Sequence, residues 1–340
     1  MKKYKATKEQ IQKSKEKIEK TKTLGDTLIK DIIKNYKINI DQLIDYIEFS
    51  SKMYNYSARN VALIQNQNPN ALFCNSFKKW KELGANILKG SHGYTILVPK
   101  PVKGFIDEDN KFVRMTEATE DQKFKIKSGE LKCDSIMYFG TGAVFDITQT
   151  DYPTENYPLL FSVGFSSEQH GILVEQLISY AQDEINCPVY IKHITGLGLN
   201  GYYDRKDNSI TVADRLKDTQ LLSTLSHEFG HALAHRNIID KSISQVEVEA
   251  DIYSIYFHSY YGLDIPDTRK RHLSDHFTDY EMELKQSGFS EEQINEKLEK
   301  MLENIYDSYR SHITKIDAAH REQQKQFYID EKMPEEEMEL

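Results

Sequence analysis

The stretch Ser226-His227-Glu228-Phe229-Gly230-His231 decides how the second half of the chain is read. Leu221, Leu222 and Leu225 precede it and Ala232 and Leu233 follow, so apolar residues recur at helical spacing through the motif. On a helix, positions four apart share a face, which lets His227 and His231 offer ring nitrogens to one Zn²⁺. Glu228, beside the first histidine, is then placed to take a proton from a water whose pKa the metal lowers. The competing reading is a His–Glu helix pair with no metal. It would bury three titratable groups without a partner, at a high cost in free energy.

A third ligand is required, and the next predicted helix offers Glu247-Val248-Glu249-Ala250-Asp251. Glu247 and Asp251 lie four apart on one face, so Glu247 can ligate while Asp251 accepts the other N–H of a ligating histidine. Glu249 is the alternative ligand, but it would pair with Tyr253 where that accepting carboxylate should be. His235 is a rival ligand one turn further along the first helix, and it reads better as a surface or supporting group.

Outward from this centre, a predicted helix covers 167–184 and a strand covers 189–193. Gly201–Tyr203 and Ser209–Val212 flank turn residues as a hairpin, a candidate edge for an extended peptide. Helices follow over 217–235 and 243–261, and charged helical sequence runs on from Asp267. Upstream, helical spacing marks 26–37, 41–53 and a segment from Ser57 to Asn68-Pro69. Ser76 caps a short helix that carries Phe77, Trp80 and Leu83 and stops at Gly84. Tyr94–Pro99 and 135–147 read as strands. The fold class is α+β: N-terminal helices with a small sheet, then a compact gluzincin-like unit, then a helical C-terminal extension. That unit comprises a helix, a small mixed sheet, the H-E-x-x-H helix and a glutamate helix. The predicted organisation is a charged leader over 1–25, a first domain over 26–152, a second over 153–264 and the extension over 265–340. The last eight residues, MPEEEMEL, are acidic after a proline and are expected to be disordered.

The 340 residues carry a net charge of −9, but residues 1–150 sum to +8 and the remainder to −17. A basic part joined to an acidic part points to a polyanion partner for the first, against the plainer reading of a solvated lysine-rich face. Aromatics at 11% argue against global disorder. No apolar run approaches the roughly 20 residues of a membrane span, and no apolar stretch follows the basic N-terminus. Three widely spaced cysteines suggest neither a disulfide framework nor a cysteine metal site. The chain is expected to be cytoplasmic, with no membrane partner.

His227-Glu228-Phe229-Gly230-His231-Ala232-Leu233, followed by Glu247-Val248-Glu249-Ala250-Asp251, resembles the zincin domain of ImmA/IrrE-type metallopeptidases. The first half resembles the N-terminal domain of ArdC and LtrC-like antirestriction proteins. The stretches that carry this are Tyr56-Ser57-Ala58-Arg59-Asn60, Ser76-Phe77-Lys78-Lys79-Trp80-Lys81, Lys89-Gly90 and Phe145-Asp146-Ile147-Thr148-Gln149-Thr150. Together the resemblances cover about residues 40–262. They imply single-stranded-DNA binding joined to a zinc metallopeptidase-like domain in a protein of a mobile element. ArdC-type proteins are thought to shield incoming single-stranded DNA from restriction.

The residues of the first half can be read the same way. Lys78, Lys79, Lys81 and Lys89 lie near aromatic residues, and Arg59 and Asn60 sit where phosphate contacts would serve. A cationic groove interleaved with aromatic platforms suits single strands. Tyr56 is a candidate platform, whereas Phe77 and Trp80 have the spacing of a core face. The combined expectation is a DNA-binding antirestriction-type protein that hydrolyses peptide bonds with zinc-activated water. Its alternatives are a non-catalytic DNA-protecting protein with a structural zinc, and a protease that cleaves a repressor.

Overall fold

The computed structural model describes residues 8–36, 39–107, 111–160, 169–195, 198–235 and 241–336. The first half opens with α1 (Lys8–Asn35), α2 (Ile40–Lys52) and α3 (Ala58–Gln67). From Lys8 onward the 1–25 leader lies in α1, which runs unbroken into the predicted 26–37 helix. Lysine, glutamate and glutamine are good helix formers, and Ile29 and Ile33 anchor the far end in the core. β1 (Cys74–Ser76), α4 (Phe77–Glu82), β2 (Tyr94–Ile106), β3 (Phe112–Arg114), α5 (Glu120–Ser128) and β4 (Asp134–Asp146) follow. Ser76 caps α4 by accepting the Lys79 N–H, and Gly84 follows the helix with φ +81°.

The strands of this half form one antiparallel sheet in the order β1-β4-β2-β3. β2 and β4 pair from Tyr94↔Val144 to Gly104↔Asp134. The inner end of this ladder, with Ile96 and Val144, is buried under the helices. The outer end of β4 is not: from Asp134 to Phe139 every residue is exposed, while Phe105 of β2, opposite β3, is buried within the arm that the two strands, β3 and α5 make.

The second half contains α6 (His170–Ile185), β5 (Val189–Lys192), β6 (Gly201–Asp204), β7 (Ser209–Ala213), α7 (Asp218–His235), α8 (Ile243–Tyr261), α9 (Asp267–Gln286) and α10 (Glu291–Glu336). Its sheet has the order β5-β7-β6, with β5 parallel and β6 antiparallel to the central strand. β7 is buried along its whole length, which leaves β6 as an edge. The predicted helix start at 167 lies outside the described residues. α10 continues to Glu336, so the acidic tail that was expected to be disordered begins inside a helix.

Both halves share one hydrophobic core. Ile29, Leu43, Ile47, Val61, Leu177, Phe229, Ile252, Tyr256, Leu302 and Ile313 all belong to a single buried cluster. The carbonyl groups at the end of α2 have no partner within the helix, and α10 supplies them. Tyr306 Oη donates to Met53 O at 3.0 Å, Tyr309 Oη to Ser51 O at 3.0 Å and Arg310 Nε to Tyr54 O at 2.7 Å. The core therefore does not divide at residue 152, and the segment from 265 onward helps to enclose it. Among the described residues, no helix is long and apolar enough to cross a membrane.

Candidate functional site

α7 is held by Leu222, Leu225, Phe229 and Ala232, all buried, which turns His227 and His231 to the opposite face. Their rings stand 4.8 Å apart at 79°. α8 crosses close by because position 230 is glycine. A Cβ there would lie 2.9 Å from the Cβ of Tyr253 and 3.0 Å from the carbonyl oxygen of Ala250. This close approach brings Glu247 Oε2 to 3.8 Å from His231 Nε2. Glu249, the alternative ligand, points elsewhere. It is buried, pairs with Lys241 at 2.5 Å and accepts from Gln245 Nε2 at 2.9 Å.

Glu228 is 7% exposed and accepts the backbone N–H of Tyr203, which ties the edge strand β6 to the centre. Burial pushes its carboxyl up to about 7. Burial also lowers His231 to about 4 and holds His227 well below the usual imidazole range, with the Arg269 cation adding to both shifts. Both histidines are thus neutral at neutral pH, the form in which an imidazole ligates a metal. Two neutral imidazoles and a carboxylate are the donor set of a divalent-metal site, and Glu247 Oε2 already lies within 4 Å of His231. The set fits in kind but is not closed: among the described residues, no trio of His, Cys, Asp or Glu is gathered tightly enough to hold an ion.

Two residues absent from the sequence reading complete the surroundings, and both come from α9. Asp251 was expected to take an imidazole N–H directly. Instead its Oδ1 lies 4.0 Å from His227 Nδ1, with a guanidinium inserted between them. Arg269 Nη1 donates to Asp251 Oδ1 at 2.9 Å and stands 2.9 Å from His227 Nδ1. His276 Nδ1 meets the other oxygen, Oδ2, at 2.9 Å, and that hydrogen bond raises the His276 pKa. His258 of α8 is buried against α7, with Nε2 at 2.7 Å from Ser223 Oγ. The side chain of His235 lies outside the described residues.

The candidate nucleic-acid residues fall into two groups. Lys78, Lys79, Lys81 and Lys89 are exposed. Lys78 and Lys79 each reach Glu82 only at 3.6 Å, a surface pairing too weak to tie them down. The others are occupied within the fold. Asn60 is buried and clamps the backbone of Leu97, donating to its O and accepting from its N at 2.9 Å each. Tyr56 Oη donates to Cys74 O at 2.6 Å, and Arg59 Nε pairs with Asp26. Of the two aromatics predicted as core, Trp80 is fully buried and donates to Phe145 O at 2.9 Å, but Phe77 is 55% exposed. A six-residue helix has one narrow buried stripe, and Trp80 fills it. The exposed arm adds Met137, Tyr138 and Phe139, with Arg114 lying over the Tyr138 ring at 5.1 Å.

Comparison with known proteins gives similarities over most of the chain and over its first part. An uncharacterized protein of Bacillus anthracis is 29% identical over 339 residues, covering 94% of this chain and 54% of the relative. The chain therefore spans about half the length of that relative. Two crystal structures of the antirestriction ArdC protein from the R388 plasmid also align. The metal-free form is 16% identical at a TM-score of 0.43, over 82% of this chain and 98% of that one. The Mn(II)-bound form is 15% identical at 0.43, over 85% and 97%. Residues 6–145 match the family model of the N-terminal domain of anti-restriction factor ArdC, and it is to that domain that the first part of this chain is similar.

Proposed function

We propose that this chain is a single-stranded-DNA-binding, antirestriction-type protein whose second half is a metal-dependent peptidase. The observation that carries the peptidase reading is His231 standing beside both His227 and Glu247, next to a buried Glu228 whose carboxyl is raised to about 7. His227, His231 and Glu247 would hold a divalent ion, Zn²⁺ being the one their chemistry suits. Such an ion supplies Lewis acidity at the scissile carbonyl and lowers the pKa of the attacking water. With such an ion held there, Glu228 would be the residue that takes up a proton from water and passes it on, a role suited to a carboxyl raised to about 7. β6, tied to Glu228 through Tyr203, is an edge strand among the described residues, and an extended peptide could add to it as a further strand. On this reading Glu228→Gln keeps its metal and loses peptide hydrolysis by about 10²–10⁴-fold. Undiminished cleavage by that variant overturns the assignment.

The DNA half rests on the similarity of residues 6–145 to the ArdC N-terminal domain. It also rests on exposed lysines set among exposed aromatics, with Lys81 at 5.9 Å from the Phe77 ring. Bases stack on such rings while the cations meet phosphates. The test is single- against double-stranded oligonucleotide binding across a salt series. Tight, salt-sensitive single-strand binding is expected, weakened by charge reversal at Lys78, Lys79 and Lys81. A second reading, a DNA-protecting protein without peptidase activity, is favoured by the open arrangement of the three ligands. It predicts that Glu228→Gln leaves antirestriction activity intact.

A further inference from the structure

The arm has two faces of different character, and the ladder register assigns residues to each. Residues opposite one another in an antiparallel pair point the same way, as do residues two apart on one strand. Pro99 opposes Phe139 and Pro101 opposes Met137, so one face is apolar. Lys100 opposes Tyr138, and Arg114 opposes Gly104, four residues beyond Lys100 on β2. Tyr138, Lys100 and Arg114 therefore share the other face. All three are exposed, and the Arg114 guanidinium lies 5.1 Å from the centre of the Tyr138 ring. Neither cation has a carboxylate partner among the described residues, whereas Lys123 and Lys125 of α5 are paired with Glu120 and Asp121. Asp134, at the end of the same face, turns its carboxylate to the backbone N–H of Ser135 at 2.7 Å.

This face is also flat. Gly140 and Gly142 follow Tyr138 along it at spacings of two and bring no side chain of their own. The neighbouring strand uses that space. A Cβ at Gly140 would meet Lys100 Cε at 2.6 Å, and one at Gly142 would meet Val98 Cγ2 at 2.5 Å. The Lys100 stem is thereby laid along the sheet beside Tyr138 instead of standing off it. An exposed ring and a guanidinium plane are both surfaces on which an unstacked base can lie, and unpaired cations beside them suit a polyanion.

We propose that this face of the arm is a contact surface for single-stranded DNA, with Tyr138 as the platform for a base and Lys100 and Arg114 meeting phosphates. The proposal deepens the DNA reading above and rests on it, adding a surface apart from the α4 lysines. The test measures binding of a labelled oligothymidylate, and of a duplex of equal length, to the full chain over a salt series, with each variant's thermal midpoint recorded. Tyr138→Ala is expected to weaken single-strand binding about tenfold with the salt slope unchanged, and Tyr138→Phe, which keeps the ring, to stay within about twofold of the parent. Lys100→Gln combined with Arg114→Gln is expected to flatten the slope of log affinity against log salt by about 0.7 for each cation lost. Midpoints should match the parent's, because all three side chains are exposed. Arm variants that bind like the parent, while charge reversal at Lys78, Lys79 and Lys81 abolishes binding, overturn this surface and leave the DNA reading standing. Equal loss of duplex affinity in Tyr138→Ala overturns the stacking role, because the bases of a duplex do not reach the ring. A parent that binds no single strand overturns the DNA reading and this surface with it.

Discussion

At Asn60 one carboxamide fastens a helix to a strand. Its amide donates to Leu97 O and its oxygen accepts from Leu97 N, both at 2.9 Å in a buried position. Sequence proximity to Arg59 suggests a phosphate ligand, but a buried amide whose oxygen and one N–H are both held by the Leu97 backbone is fixed within the fold. Asn60→Ala should destabilise the fold by about 1–3 kcal/mol, the penalty for leaving buried backbone groups unpaired. Single-strand affinity, measured at a temperature where the variant is folded, should stay within twofold of the parent. A variant of full stability with lost DNA binding would return Asn60 to the interface. Phe77 makes the opposite case. It was expected inside and stands 55% exposed, so Phe77→Ala should leave stability nearly unchanged. If bases stack there, the same change should weaken single-strand binding by about 1–3 kcal/mol, the usual worth of one stacking platform.

The site is made by the approach of α7 to α8, and Gly230 sets that distance. A methyl group at 230 meets Tyr253 Cβ and the Ala250 carbonyl, and neither is the far end of a flexible chain. Gly230→Ala should therefore push α8 outward, cost about 1–3 kcal/mol in overpacking and weaken Zn²⁺ binding as Glu247 leaves His231. Denaturant melts with metal titration of the same preparation check both. Preserved stability with preserved metal affinity would mean that the helices have room to spare. Much at this scale was legible in the sequence. The apolar period around residues 221–233 placed α7, and the spacing of Glu247 and Asp251 put both on the face that meets it. Arg269 and His276 were not legible, because periodicity says which residues share a face and not which helix lies opposite. The bond from Arg269 to His227 spans 42 positions and exists only through tertiary packing. The arm escaped for a related reason. Ser135–Phe139 is apolar on both faces, the pattern of a strand buried on both sides, yet here every residue of it is exposed.

Across the whole molecule, burial disfavours the charged form of several histidines. Burial holds His231, His258 and His320 at about 4, and His227 further below the usual range. In the unfolded chain such imidazoles titrate near 6.5, so between pH 6.5 and 4 the unfolded state binds protons that the folded state refuses. Stability is therefore lost as pH falls through that window, by roughly 2 kcal/mol at pH 5 for each imidazole held near 4. Glu228 works the other way. Its carboxyl, raised to about 7, takes up a proton in the folded state first and adds stability as pH falls from 7 towards 4.5. That gain is about 3 kcal/mol in full. Glu48, Glu247, Glu299 and Glu303, raised by burial, and His276, raised by Asp251, act in the same direction through smaller shifts, and the four buried histidines outweigh them. The urea midpoint of the chelator-treated protein should accordingly drop between pH 7 and pH 5. His320, which meets Tyr260 Oη at 3.1 Å between α8 and α10, lies outside the candidate site and isolates the effect. His320→Gln, which cannot take up a proton, should show a visibly smaller drop over the same interval. A midpoint that holds steady or rises on acidification would mean that these imidazoles find protons without unfolding, and the enclosure of the core by α10 would have to be looser than its buried tyrosines indicate.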